Sequence, residues 1–399
     1  MKHRLLKFDI IHPGTYLERK KSEWNDLRRL SREEYLDRLI ALRSNYSDYY
    51  THHLQQQGDW EAEEFFLLDP TFIDKTAEFL WKRKLSPSGI WRLLRKATLP
   101  FDVILDRNRW AAAARHLEHL RWRHLVIDAY IRYWKPDVIF VRSQPVPSFF
   151  WQKYRKDTLL VSRLSARLPL HWHPNHWDLI YTDHPDFKTF FELHGVPTIL
   201  NDQGFDHRII DELQQLPKKY ELSFVGGMGT ENFLRRTLFF NEIAKRTNFI
   251  WWGYWWKYGD DGRRFSDFPA LVDSFQGPTS GLEMYQIYKD SMINLNDYVD
   301  TADGRGFNQR MFEVMGAGGF LLTRQAPNFE KDFPPDIFIT YTGPEDCIDK
   351  ISYFLNHEKE REEIAAAGQQ FVIERYDYRR ITREFGEDLK SLLKSRRLK

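Results

Sequence analysis

Short apolar runs alternate with amphipathic stretches of helical period along almost the whole chain, the arrangement of strands joined by crossover helices in a parallel sheet. In the first half, runs at 5–11, 65–68, 138–141, 159–162, 179–182 and 198–200 predict strands. Between the first two, the charged segment 31–57 places Leu36, Leu39, Ile40 and Leu42 at helical spacing. A further helix over 111–134 is stopped by Lys135, Pro136 and Asp137 before the next strand. A second series follows, with strands at 221–225, 249–252, 293–295, 320–323 and 337–340 and helices near 231–246, 281–290, 309–317 and 345–356. The succession predicts an α/β chain of two Rossmann-like halves linked through 202–219, where Gly204 and Pro217 interrupt the pattern. The tail 358–399 reads as charged helix, its basic end 394–399 as a solvated terminus.

Composition narrows the function classes. With 59 Lys+Arg against 57 Asp+Glu the formal charge is +2, so no bulk field gathers nucleic acid, and a basic surface has to be local. Cys347 is the single cysteine, which excludes a disulfide framework and any site ligated by several cysteines and fits a reducing cytoplasm. Apolar stretches such as 250–256 fall far short of the ~18 residues of a membrane span, and 1–10 mixes charge with apolar residues too closely for a signal peptide. A soluble cytoplasmic protein is expected. The 16% aromatic content, 14 Trp included, suits core packing and also stacking on sugars or bases. In 250–256 (IWWGYWW), Trp251 is expected in the core, with Tyr254, Trp255 and Trp256 beyond the strand.

Two segments carry candidate chemistry. In 222–230 (LSFVGGMGT) a strand is expected to run into a glycine-rich turn and then a helix with Arg235 and Arg236. Backbone N–H groups at Gly226, Gly227 and Gly229 beside a helix N-terminus suit a phosphate, although glycine at such a turn also serves backbone geometry alone. In 303–323 (DGRGFNQRMFEVMGAGGFLLT) Asn308 is the expected N-cap of a short helix, which puts Arg310 in its first turn and Glu313 one turn on. A guanidinium there suits a diphosphate, and a carboxylate deeper on the helix accepts both hydroxyls of a ribose. The alternative is an ordinary i,i+3 surface pair. Gly316, Gly318 and Gly319 let the helix end close to the next strand and leave room for a ligand.

These segments resemble a family. The runs 224–227 (FVGG), 285–288 (YQIY), 293–296 (INLN), 308–313 (NQRMFE) and 318–323 (GGFLLT) look like the glycosyltransferase group 1 domain of the spore-maturation (CgeB-type) proteins. The first half resembles them more loosely, through 135–139 (KPDVI), 177–183 (WDLIYTD), 195–197 (GVP) and 204–206 (GFD). The resemblance implies the GT-B fold: two Rossmann-like domains facing a central cleft, with a C-terminal helix crossing back. The implied boundaries are 1–210 for the acceptor domain, 218–375 for the nucleotide-sugar domain and 376–399 for the returning helix. It further implies that Glu313 meets the donor ribose, that Gly226 and Gly227 face the diphosphate, and that Asn308 and Arg310 belong to the Asn-x-Arg-x-x-Glu signature. Retaining group 1 enzymes usually carry another glutamate eight residues before this one, where the chain has Arg305. The loop 11–15 (IHPGT) also lacks the paired glycines common after the first strand, leaving Gly14 and His12 as acceptor-side candidates.

The expected activity is transfer of a sugar from a UDP- or GDP-linked donor to a hydroxyl of a surface glycan, a lipid-linked sugar or a protein, the lipid case bringing peripheral membrane association. Gly226, Gly227, Arg235, Asn308, Arg310, Glu313, Gly318 and Gly319 are the donor-binding candidates; His12, His184 and Asp206 are the catalytic ones. His12 and His184 follow strands of the first half, where imidazole is suited to deprotonate an acceptor hydroxyl, although His171, His173 and His176 show histidine used freely in loops. Asp206, followed by His207, sits beside the link between halves. Asp260 with Asp261, and Asp300 with Asp303, read as turn residues, so no metal and no cofactor beyond the nucleotide-sugar co-substrate is expected. The rival readings are a nucleotide-sugar epimerase of the same fold and a non-catalytic protein that binds glycan or RNA; the balanced charge weighs against RNA.

Overall fold

The computed structural model describes residues 2–44, 47–85, 110–164, 168, 172–201, 203–230, 233–256, 263–300 and 308–397. His171, the Asp260-Asp261 pair, Asp303 and Arg305 lie outside the described residues.

A strand stands at each predicted place. The first domain holds β1 (His3–Asp9), β2 (Trp60–Phe66), β3 (Val138–Val141), β4 (Leu159–Arg163), β5 (Leu179–Thr182) and β6 (Thr198–Leu200); the second holds β7 (Tyr220–Gly229), β8 (Phe249–Trp256), β9 (Ser291–Asn296), β10 (Leu321–Arg324) and β11 (Ile339–Tyr341). Both sheets are parallel, in the orders β2-β1-β3-β4-β5-β6 and β11-β10-β9-β7-β8. Strand order reverses at β1/β3 and again at β7/β9, and in open sheets of this kind ligands bind outside the carboxyl ends of the strands at that point.

Four stretches depart from expectation. β2 begins at Trp60 because the charges that obscured it are paired: Glu63 with Arg32 at 2.5 Å and Glu64 with Lys7 at 2.8 Å. The segment 31–57 forms two helices, Arg32–Ala41, started by a reciprocal Ser31–Glu34 capping box, and Tyr49–Gln56, with Arg43 between them at φ 50°. β7 and β8 run further than predicted, pairing through Gly229 and Trp256, so Tyr254, Trp255 and Trp256 belong to the strand rather than following it. Trp251 is fully buried as expected, and its Nε1 donates to the Gly226 carbonyl at 2.9 Å.

One hydrophobic core passes through both domains. It includes Leu5, Val138 and Val161 of the first sheet, Val225 and Leu321 of the second, and Tyr378, Phe385 and Leu389 of the last helix, Tyr378–Arg397. That helix crosses back to the first domain. Phe385 packs among Tyr50, Phe140 and Tyr181 with ring centroids 4.9–5.1 Å apart, Tyr181 donates to Asp388 at 2.9 Å, and Arg396 donates to the Thr158 carbonyl at 2.9 Å. On the opposite flank the N-terminus of the helix Gly281–Asp290 docks on the first domain. Leu282 N–H donates to the Leu42 carbonyl at 3.0 Å, Ser44 and Ser280 share a 2.7 Å hydrogen bond, and Glu283 pairs with Arg19 and Lys20.

Gly281 makes this approach feasible. Its φ is +59°, and a Cβ there would lie 1.9 Å from the Leu42 carbonyl oxygen. Gly281→Ala is therefore expected to destabilise the chain by about 1–3 kcal/mol, measured by urea unfolding. An unchanged midpoint would show that this dock contributes nothing to holding the domains together.

Candidate functional site

The helix Gln309–Gly316 points its N-terminus at the carboxyl edge of the second sheet. Asn308 is its N-cap, accepting from Met311 N–H at 3.3 Å, and its amide donates to Asn296 Oδ1 at the end of β9 at 3.0 Å. Arg310 then lies across the gap between β7 and β9. Its Nε donates to the Val225 carbonyl at 2.6 Å, its Nη1 donates to Asn296 Oδ1 at 2.8 Å, and its guanidinium sits 4.4 Å from the Phe224 ring centre.

This seat corrects the reading of the glycines. Gly226 and Gly227 are strand residues paired with Gly253 and Tyr254, not part of a phosphate-facing turn. A Cβ on Gly226 would stand 2.2 Å from Arg310 Nη2, so glycine is required there by the guanidinium. The Gly227 carbonyl accepts from Arg236. Gly318 and Gly319 likewise face protein: a Cβ on either would meet Gln369 at 3.1 Å or Asn294 at 2.8 Å, so they seat the helix and leave no ligand space on that side.

Around Arg310 the cations accumulate. Arg236, only 3% exposed, has its guanidinium 5.4 Å from the Phe224 ring centre and 4.5 Å from that of Phe233. Burial and then the charge of Arg310 push its guanidinium down to about 9, the mark of like charges held together out of water. Arg235 reaches Asp297 at 3.3 Å and Asp300 at 3.7 Å, and Arg324 at the end of β10 reaches Asp297 at 3.8 Å. Arg235, Arg324 and Asp297 line a pocket of about 330 Å³ with Phe239, Tyr341 and Gly343. Asp297 Oδ1 accepts from Tyr298 N–H at 2.7 Å, whereas its buried Oδ2 has no hydrogen-bond partner among the described residues. Burial raises this carboxyl above its ordinary range.

Sequence reasoning missed Asp297 and Arg324. The signal was positional, since each follows directly on or ends a strand at the switch-point edge.

Glu313 lies one turn beyond Arg310, facing the first domain. Its field reaches the buried hydroxyls of Tyr49, Tyr285 and Tyr288, the first of which belongs to the first domain and stands 3.5 Å from Tyr285. Burial pushes its carboxyl up to about 7, against the opposing pull of Arg310 and a hydrogen bond from Gln309.

The catalytic candidates separate. His12, after β1, crosses to the second domain: its ring meets Tyr254 of β8 edge-on at 4.8 Å and its carbonyl accepts from Ser280 at 3.1 Å. Burial lowers its pKa, which keeps the imidazole neutral at pH 7. His184 is the N-cap residue of the helix Pro185–Leu193, just past the carboxyl end of β5, beside Asp186 and Phe187. Asp206 is fully buried and bound on both oxygens by Arg208; although burial opposes its charge, His53 and Arg208 hold its carboxyl well below the usual range. As placed it anchors the segment between the domains through Arg208 and His53.

Residues 235–387 match the family model described as glycosyl transferase-like. No curated protein matches the sequence. Among solved structures, the chain is similar to HepE of Anabaena in complex with UDP-glucose (13% identity, 97% of this chain and 99% of that one, TM-score 0.50). It is similar also to sucrose-phosphate synthase of Thermosynechococcus elongatus (10% identity, 99% and 100%, TM-score 0.52). A third is the N-terminal domain of trehalose-6-phosphate phosphatase of Candida albicans (12% identity, 98% and 97%, TM-score 0.54). With two parallel-sheet α/β domains and a returning helix, the fold is GT-B.

The raised carboxyl of Glu313 has a consequence for stability. Its folded pKa of about 7 exceeds the unfolded value of 4.5, so the folded chain holds the proton longer and stability falls as pH rises from about 4.5 to 7. Glu313→Gln is therefore expected to be more stable than the parent at pH 8, with a difference about 3 kcal/mol larger there than at pH 4.5. A pH-independent difference between the two unfolding profiles would contradict this.

Proposed function

We propose that the chain is a cytoplasmic glycosyltransferase that moves a sugar from a UDP- or GDP-linked donor to a hydroxyl acceptor, in the manner of the spore-maturation (CgeB-type) enzymes its motifs resemble. The observation that carries this reading is the convergence of Arg236, Arg310, Arg235 and Arg324 on the carboxyl edge of β7, β9 and β10, one helical turn from the buried carboxyl of Glu313. Guanidiniums held in place before the reaction stabilise the charge that develops on a departing diphosphate without reorganising. Glu313 is the acceptor for the ribose hydroxyls. UDP-glucose in the HepE complex fits the same donor class.

His12 is the base in this reading, because its neutral ring reaches the second domain across the cleft. The acceptor oxygen attacks the anomeric carbon as its proton passes to the imidazole. The bond from that carbon to the diphosphate oxygen breaks, and the arginines hold the resulting anion. Acceptors are a surface glycan, a lipid-linked sugar or a protein, bound by the first domain, and the step needs no metal at the diphosphate.

A thermal-shift comparison of UDP, GDP, CDP, ADP and dTDP tests the donor class, since a bound nucleotide stabilises the fold by mass action. UDP or GDP is expected to raise the midpoint most. Arg310→Ala and Glu313→Ala are each expected to lower turnover by about tenfold or more, the loss of a charged contact worth ~1.5–3 kcal/mol. Turnover is expected without added magnesium or manganese. Formation of an epimerised free nucleotide-sugar in place of a glycosylated acceptor would establish the epimerase reading instead.

A further inference from the structure

Away from the cleft, four side chains from three segments converge where the domains and the last helix meet. His53 comes from the helix Tyr49–Gln56, Asp206 and His207 from the segment between β6 and β7, and Asp377 from the junction ahead of the final helix. The junction is stitched to that segment by the backbone: Phe205 N–H donates to the Tyr376 carbonyl at 2.9 Å and Tyr378 N–H to the Phe205 carbonyl at 3.0 Å.

The spacing within the cluster is specific. His53 Nε2 stands 3.3 Å from Asp206 Oδ2, and His207 Nδ1 stands 3.1 Å from Asp377 Oδ2 and 3.9 Å from Asp206 Oδ1. One ligand atom each from His53, His207 and Asp377 falls within 4.8 Å of the others. His53 Nε2 and His207 Nδ1 are both buried, and neither makes a hydrogen bond of good geometry among the described residues. A tetrahedral ion bonded at ~2.0–2.1 Å holds its ligand atoms roughly 3.3 Å apart, a spacing this cluster can reach with small side-chain shifts.

We propose that His53, His207 and the carboxylate of Asp377 form a structural site for a zinc-type divalent cation, a water completing its four ligands, that clamps the interdomain segment to both the first domain and the final helix. Two imidazoles select a borderline ion over magnesium or calcium, which need mainly oxygen ligands. The Asp377 carboxylate is oriented from outside by Arg379 at 2.8–3.0 Å, the arrangement by which outer partners fix ligating groups. Asp377, His53 and Asp206 are nearly inaccessible, with His207 as the more open member through which an ion enters. This site stands apart from the donor site and does not depend on the proposed activity.

The test is zinc titration of the untagged, metal-stripped full chain against a chromophoric chelator. The expected result is saturable uptake of one equivalent, a higher thermal midpoint with zinc, and at least about tenfold weaker binding in His53→Gln and in His207→Gln. His176→Gln, in the separate His173–His176 pair, is expected to bind zinc like the parent. Should the variants fold poorly, cobalt added to the parent chain provides the readout, with the intense visible absorption of a four-coordinate ion expected. No saturable zinc uptake by the parent, undiminished uptake by both histidine variants, or a weak six-coordinate cobalt spectrum would each overturn the proposal.

Discussion

The seat of Arg310 organises the second domain's working edge. A single guanidinium spans β7 and β9 at the point where their pairing has ended, takes the place of the missing ladder through the Val225 carbonyl and Asn296, and rests on Phe224. It demands glycine at 226, fixes the angle of the helix that carries Glu313, and imposes its charge on Arg236. Buried like charges are costly unless something opposes them. The described carboxylates at this edge, Asp297 and Asp300, are bound chiefly by Arg235, and Arg236 makes its contacts to the carbonyls of Gly227 and Asp297. The edge is thus electrostatically prepared for an anion, and a diphosphate is the anion proposed for it.

The same edge trades stability for preparation. Glu313 and Glu64 are both pushed up to about 7 by burial, but they differ in what surrounds them. Glu64 is answered by Lys7 at 2.8 Å and Thr51 at 2.7 Å inside the first domain, a closed arrangement with no opening to the cleft. Glu313 has Arg310 nearby and a hydrogen bond from Gln309, and three tyrosine hydroxyls that feel its charge. A carboxyl kept short of partners in this way is suited to accept hydroxyls that arrive with a ligand.

Much of this was legible in the sequence because the strands are apolar on both faces, as parallel strands flanked by helices must be. Val138 to Val141 could be read as a strand for that reason alone, and Asn308 as a cap from its position before a helical run. What escaped was whatever depended on a distant partner. The charged half of β2 reads as a loop until Arg32 and Lys7 are brought against it. Gly226 looks like part of a turn because the side chain it makes room for, Arg310, is 84 positions away along the chain. Asp206 looks like a free hinge acid until His53 and Arg208 close on it, and His12 gains its standing only when the domains place Tyr254 beside it.

The central claim is that the arginine edge of β7, β9 and β10 receives the diphosphate of a nucleotide-sugar while Glu313 receives its ribose. The measurement that bears on it most directly is a crystal structure of the chain grown with UDP. The account predicts density for the diphosphate within hydrogen-bond distance of Arg310 or Arg235, and the ribose hydroxyls on Glu313. UDP bound elsewhere on the molecule, with the Arg310 and Glu313 side chains untouched, would contradict it.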